Sequence, residues 1–262
     1  PYKCISENGV DYNCIFHEEG LIENLIEEDK LAKRVHGSTA DAVKRAIETF
    51  KEKIIRQSKL VPKFDTEATI TPDFVDELTN PNEPGLAILD LSPEGATTAA
   101  LDVKQFLVFY VLTVLFNKFV SYRMKGEDRL LLLIMEEAQN YAPNTNIYPI
   151  EFSVARKILA SVATQGRKFG LSLCLVTQRP SYVDPIVMSM MNTYIIHRVA
   201  PSDVKFVNQV TGGLPYYIKS KLTFMERGLA VVVGQMNVFP YPLIIRVAKR
   251  KSHIMGQPTI IT

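Results

Sequence analysis

Leu130-Leu-Leu-Leu-Ile-Met-Glu-Glu-Ala-Gln-Asn-Tyr-Ala-Pro143 holds an unbroken apolar run that stops at two adjacent carboxylates. Such a run is the pattern of a strand buried on both faces, as in a largely parallel sheet packed between helices. The pattern recurs along the chain. Apolar runs at Leu86–Leu91, Leu171–Val176, Thr193–Val199, Gly228–Gly234 and Leu243–Val247 alternate with helical spacing near Leu101–Met124, Ile150–Lys168, Asp184–Met191 and Ser202–Val210. Strands alternating with helices predict an α/β fold with a mainly parallel sheet flanked by helices. Ligands of such sheets sit beyond the carboxyl ends of the strands, so the polar residues at those ends are the ones to weigh.

The chain has 262 residues, enough for one large α/β domain or two small ones. Lys plus Arg number 30 and Asp plus Glu 28, and this bulk charge of +2 neither demands nor excludes nucleic acid. Residues 1–63 are charged, and helical spacing over Glu18–Val35 and Ala40–Lys59 predicts a helical insert or hairpin. Residues 64–85, with Pro72, Pro81, Pro84 and scattered acids, predict a loop and linker; residues 86–262 hold the α/β core and its C-terminal strand and tail. Phe106–Phe116, the longest nearly continuous apolar stretch, falls short of the roughly 20 residues that cross a bilayer. It predicts a buried core helix, no membrane partner and a cytoplasmic protein. Cys4, Cys14 and Cys174 show no metal-ligand spacing and are expected as free thiols, Cys174 as a small buried hydrophobe. His17, His36, His197 and His253 show no ligand spacing either, so no structural metal is expected.

Three strand or helix ends carry chemistry. Hydrolysis of a nucleoside triphosphate needs one carboxylate to hold the waters around Mg²⁺ and another to orient the attacking water. Glu136 and Glu137, placed where a buried strand meets the ligand crevice, supply both. Read alone, the pair is equally a solvated strand end. The run Leu171–Val176 ends in Thr177-Gln178-Arg179-Pro180, which sets a polar, non-titrating Gln178 beside Glu137 if the two strands are neighbours. Pro180 is expected to stop a helix from starting at once. Gln165-Gly166-Arg167-Lys168-Phe169-Gly170 places fixed positive charge at a helix end, with Gly166 and Gly170 allowing a close backbone passage. Lys168 reads as a helix C-terminal cation. Arg167 reads as an arginine able to reach a phosphate in a neighbouring subunit.

These elements together resemble the FtsK–HerA superfamily of DNA-pumping ATPases, and most closely its HerA branch. The residues that carry the resemblance are Leu132–Pro143, Ala163–Gly170, Leu173–Ser181, Asn192–Arg198 with Asp203, and the tail Ile245–His253. The resemblance covers about residues 86–255. It implies a RecA-like P-loop NTPase core, ATP and Mg²⁺ as cofactors, a homo-hexameric ring, double-stranded DNA as the threaded substrate and a partner nuclease in DNA end processing. By position, Glu136 resembles the magnesium-water acid, Glu137 the catalytic glutamate, Gln178 the sensor, Arg167 the arginine finger and Arg198 a further phosphate contact. Two departures stand out. Gln139 occupies a position where the family commonly has His. More consequentially, no G-x-x-x-x-G-K-[ST] loop occurs in the sequence. The family places that loop before the helical insert, so a C-terminal fragment of a longer motor is expected, inactive by itself.

Two other readings share the pattern. A non-catalytic scaffold or assembly module keeps the fold without the phosphate loop, and a conjugation-type DNA or protein pump shares the motor core. The basic run Arg246, Lys249, Arg250 and Lys251 is suited either to DNA phosphates or to bracing a neighbouring subunit.

Overall fold

The computed structural model describes residues 72–83, 85–91, 101–147 and 153–249, with the pieces 5–6 and 9–10 and the helical positions Ala42, Arg45 and Thr49. Most of the expected insert 1–63, part of 64–85, and Cys4, Cys14, His17, His36, Arg250, Lys251 and His253 lie outside the described residues. Two compact units are distinguished: Pro1–Leu132 with Gly166–Ser172, and Leu133–Gln165 with Leu173–Thr262.

In the first unit, α1 spans Pro72–Leu78 and α2 spans Leu101–Met124. α1 lies inside the stretch expected to be loop and linker. Pro72 punctuates the sequence as a breaker does, but at the start of a helix its missing N–H costs nothing. Val75 is completely buried, and Asp76 accepts hydrogen bonds from Lys118 Nζ and from Tyr122 Oη, both at 2.6 Å. Arg129 lies 5.2 Å over the Tyr122 ring and donates to the Thr79 carbonyl at 2.9 Å. Together these contacts tie α1 to α2 and to the chain entering the first central strand.

α2 has the limits expected from its apolar content. By length and composition it is long and apolar enough to cross a membrane, with half of its most apolar window buried. It buries Val103, Leu107, Leu112 and Phe119, and Phe119 meets Tyr122 edge-on with ring centroids 5.5 Å apart. By contrast, Leu86–Leu91, expected as a strand, forms no regular element, and Leu86 and Ile88 are 88% and 84% exposed. An apolar run becomes a strand only where a neighbour accepts its backbone hydrogen bonds. None does so among the described residues.

β1 (Leu131–Met135) and β2 (Leu171–Leu175) form a two-stranded sheet. Leu131 N–H donates to the Gly170 carbonyl at 3.0 Å and Val176 N–H to the Met135 carbonyl at 2.8 Å, so the strands run parallel, as expected. The pairing starts tightly. Gly170 has φ +89°, and a Cβ there would lie 2.0 Å from the Arg129 carbonyl oxygen, so only glycine fits. Gly166 does not share the positive φ; it is a buried position within α3 (Ala155–Phe169).

The second unit adds α4 (Pro185–Ser189), β3 (Thr193–Ile196), α5 (Val204–Val210), α6 (Tyr216–Lys221), β4 (Leu229–Gly234) and β5 (Leu243–Arg246). β3, β4 and β5 form an antiparallel sheet, with Ile195 opposite Val232 and Ala230 opposite Ile245. Parallel pairing is therefore confined, among the described residues, to the β1–β2 pair. The antiparallel sheet packs Ile196 and Val231 against Val207, Leu214, Ile218, Leu222 and Met225. Burial of each such side chain stabilises the unit by about 1.5–3 kcal/mol. The α/β class is as expected, though not every strand is covered twice: Leu132 and Ile134 are 59% and 60% exposed, and Cys174 is only half-buried.

The α1–α2 contact titrates. Burial and the Asp76 carboxylate push the Tyr122 phenol up to about 12 from 10.0. A raised pKa means that this contribution to stability is fully present below pH 10 and is lost as pH rises towards 12. Denaturant unfolding across that window should show the loss in the native chain. In Tyr122→Phe that part of the slope should disappear.

Candidate functional site

The site is built where β1 and β2 end. Glu136 is the first residue past β1; its side chain is exposed and engages no hydrogen bond or ion pair among the described residues. Glu137 leaves the strand altogether. Its φ of 50° and ψ of 45° are left-handed, the one positive φ outside glycine among the described residues, and it caps a 3-10 turn over Ala138–Asn140. Left-handed backbone costs a side-chain-bearing residue about 1–2 kcal/mol and persists only where its surroundings impose it. Here they do. Ala138 N–H donates to the Val176 carbonyl at 3.1 Å, Asn140 N–H donates to the Glu137 carbonyl at 2.9 Å, and Ala138 is fully buried against Val183 and Met188.

The turn brings Glu137 back to the end of β2. Gln178 Nε2 donates to Glu137 Oε1 at 3.0 Å, and Gln139 Nε2 donates to Oε2 at 2.5 Å. Each carboxylate oxygen thus accepts one amide and keeps a second lone pair for a water. The juxtaposition of Gln178 and Glu137 expected from neighbouring strands is present. Glu137 itself is no longer in the strand. Tyr141 lies under the turn; burial pushes its phenol above the ordinary range and the Glu137 charge adds to the shift.

Past the strands, the two loops zip together. Asp184 N–H donates to the Ala142 carbonyl at 2.8 Å, Asn144 N–H to the Tyr182 carbonyl at 2.7 Å, and Pro143 bridges Val183. Pro180, expected to block a helix, instead opens a 3-10 turn over Pro180–Tyr182, where a missing N–H at the first position is harmless. Asp203, completely buried, anchors this turn. It accepts from the Ser181 hydroxyl, from Ser181 N–H at 3.3 Å and from Arg179 Nε at 3.1 Å, while the Arg179 guanidinium lies 4.3 Å over the Tyr182 ring. Sequence reasoning matched Asp203 by position without giving it this role, and it passed over Thr177, whose hydroxyl donates to Gln139 Oε1 at 2.7 Å. The available signal was the polar cluster Thr177–Ser181 set directly after the apolar run that ends at Val176.

Glu136, Glu137 and Gln178 are brought together at the strand ends. Arg167 is exposed on the last turn of α3 and belongs to the other unit, where it has no ion pair among the described residues. Arg198 follows β3 and makes no hydrogen bond or ion pair with Glu136, Glu137 or Gln178. It lines a cavity of about 270 Å³ together with His197, Arg227 and Gly228. No group of three or more metal-ligating side chains occurs among the described residues. A cation here would be held by one or two carboxylates and otherwise by water and ligand oxygens, the manner in which Mg²⁺ binds.

No protein-family model matches the chain. Curated relatives do. The DNA double-strand break repair helicase HerA of Pyrococcus furiosus is 35% identical over 118 residues, 45% of this chain and 20% of the relative. The HerA of Sulfolobus acidocaldarius is 31% identical over 134 residues, 50% of this chain and 26% of the relative. A probable HerA of Methanocaldococcus jannaschii is 35% identical over 131 residues, 50% and 25% of the two chains. The matched half of the chain is HerA-like. The resemblance seen in the motifs therefore holds, while the chain spans only 20% to 26% of the length of these relatives. Among solved structures, VirB4 of Thermoanaerobacter pseudethanolicus aligns over 88% of this chain and 69% of its own, at 14% identity and TM-score 0.47.

Asp203 is a buried carboxylate whose partners lie on the turn after β2. In Asp203→Ala the buried Ser181 donors lose their acceptor while the half-exposed Arg179 can turn to solvent, and the expected loss of stability is about 1–3 kcal/mol. Thermal unfolding measures that loss. Hydrogen exchange should show amides 177–182 exposed ahead of those of the antiparallel sheet.

Proposed function

We propose that this chain is the hydrolysis half of an ATP-driven DNA translocase or helicase of the HerA kind, built on a RecA-like P-loop core. The carrying observation is the Glu137 carboxylate, held in a left-handed turn between the amides of Gln139 and Gln178 with Glu136 free beside it. A general base must sit within hydrogen-bond reach of its water with its orientation fixed beforehand. Glu137 meets the orientation requirement and keeps a lone pair on each oxygen. Glu136, unengaged and exposed at the strand end, fits the outer shell of a hydrated Mg²⁺ beside ATP phosphates. When bound, that ion would supply charge neutralisation at the phosphates. Gln178 contributes a neutral donor to a γ-phosphate or to the attacking water, and Arg167, exposed on a helix end, is the arginine finger offered to the next subunit. Arg198 is the further phosphate contact.

The names of the HerA relatives, double-strand break repair helicases, support DNA as the substrate, and the proposal adds DNA end processing as the setting. A homo-hexameric ring, a partner nuclease and a cytoplasmic location complete the proposal. The phosphate-binding loop, absent from these 262 residues, belongs to another part of the intact protein.

In a longer protein that carries the loop, Glu137→Gln should abolish hydrolysis while leaving nucleotide affinity intact; full turnover in that variant would overturn the assignment. Arg167→Ala should remove DNA-stimulated hydrolysis without preventing assembly, and mixing Arg167→Ala with Glu137→Gln subunits should restore part of it. Calorimetry on the 262-residue chain alone should find weak ATP binding, and a phosphate-release assay negligible turnover.

A further inference from the structure

The grip on Glu137 comes from its own turn through Gln139 and from the loop after β2 through Gln178, and the loop also sets which way Gln139 faces. A carboxylate only accepts hydrogen bonds, so the Gln139 amide must present Nε2 to Glu137 and turn Oε1 away. Gln139 is buried, with 7% of its surface exposed, so a carbonyl oxygen left there without a donor would carry the full cost of desolvation. Thr177 provides the donor, its hydroxyl lying 2.7 Å from Gln139 Oε1. The hydroxyl is fixed in turn, since it accepts from Arg179 N–H at 3.1 Å and Arg179 is held by the buried Asp203 at 3.1 Å. Gln178, the other donor to Glu137, belongs to the same loop.

We propose that Thr177 and Gln139 are positioning residues for Glu137, and that the loop of residues 177–181 sets or releases the carboxylate as one piece. The role rests on the reading of Glu137 as the hydrolytic base. Neither residue touches the reacting atoms. Thr177 fixes which end of the Gln139 amide faces Glu137, and Gln139 fixes the direction in which the free lone pairs of the carboxylate point. A shift of the loop withdraws the Gln178 amide together with the Thr177 hydroxyl that orients Gln139, so an event that moves Arg179 or Asp203 is felt at Glu137.

Two arms test this. On the 262-residue chain, the side-chain amide protons of Gln139 are followed by NMR. Thr177→Val, which keeps the shape and loses the hydroxyl, should speed their exchange with solvent about ten-fold. Thr177→Ser should restore protection. In a longer protein carrying the phosphate loop, Thr177→Val and Gln139→Met should each lower kcat about ten-fold, as loss of an outer orienting partner does, with nucleotide affinity unchanged. The double variant should be no slower than Gln139→Met, because Thr177 acts through Gln139. Wild-type turnover in both single variants, or unchanged Gln139 exchange in Thr177→Val, overturns the proposal. If Thr177→Val fails to fold, Gln139→Met and the Thr177→Ser comparison decide the matter. Glu137→Gln separates the two levels: a turnover-competent Glu137→Gln removes the reading of the base, whereas an inactive one beside wild-type Thr177→Val removes only the positioning role.

Discussion

The hydrogen bond from Ala138 N–H to the Val176 carbonyl, 3.1 Å long, joins the residue just past β1 to the residue just past β2. Parallel strands diverge at their carboxyl ends unless something holds the loops, and this bond begins the holding. It fixes the residue that follows Glu137. With Ala138 pinned and buried against Val183 and Met188, the chain can turn back only through a left-handed Glu137. The cost of that conformation is offset by what it achieves, which is to swing the carboxylate sideways to Gln178. Downstream, the bonds from Asp184 to Ala142 and from Asn144 to Tyr182 continue the same zip, so the two loops behave as one layer above the sheet.

The buried charges of the second unit lie beneath that layer. Asp184, 2% exposed, caps α4 by accepting from Ile186 and Val187 N–H and is paired with Arg156 of α3. Asp203 does the same work for the turn after β2. Both carboxylates are fully supplied with donors, which is the condition under which buried charge is tolerated. The floor under the Ala138 turn is formed by α4, α5 and the two loops. The carboxylate and Gln178 stand at the surface of this floor, where a ligand can reach them.

How much of this was legible depended on the range of the interaction. α2 was legible because its apolar residues run on all sides around Phe106–Phe116 for longer than a strand, with no glycine or proline to break the helix over its 24 residues. β1 and β2 followed from their apolar runs, and the Gln178–Glu137 contact followed from taking those strands as neighbours. The rest needed three dimensions. No local signal marks Glu137 as left-handed, because Glu has no preference for that region and the turn is imposed by Val176, 39 residues away in sequence. Thr177 and Gln139 meet across 38 residues. Pro72 and Pro180 were both read as breakers, yet each sits at a helical first turn, a position where proline fits as well as it does in a loop. Leu86–Leu91 has the composition of a strand, and composition does not supply a partner.

The identity of residue 139 bears directly on how Glu137 is held. In the family that the motifs resemble, this position is commonly His, whose donor capacity titrates between about pH 5 and 8. A neutral imidazole has one N–H; facing a carboxylate with it leaves an acceptor nitrogen for a partner on the other side, and protonation turns that acceptor into a donor. Gln139 has the same two-ended character in permanent form. Its Nε2 always donates, here to Glu137, and its Oε1 always accepts, here from Thr177. An amide at this position therefore offers Glu137 a donor that does not depend on protons. The hydroxyl at position 177 is what makes that arrangement workable, because an amide with an unsatisfied buried carbonyl would turn around. Gln139 and Thr177 are in this sense one structural choice, and Glu137 is oriented by the pair.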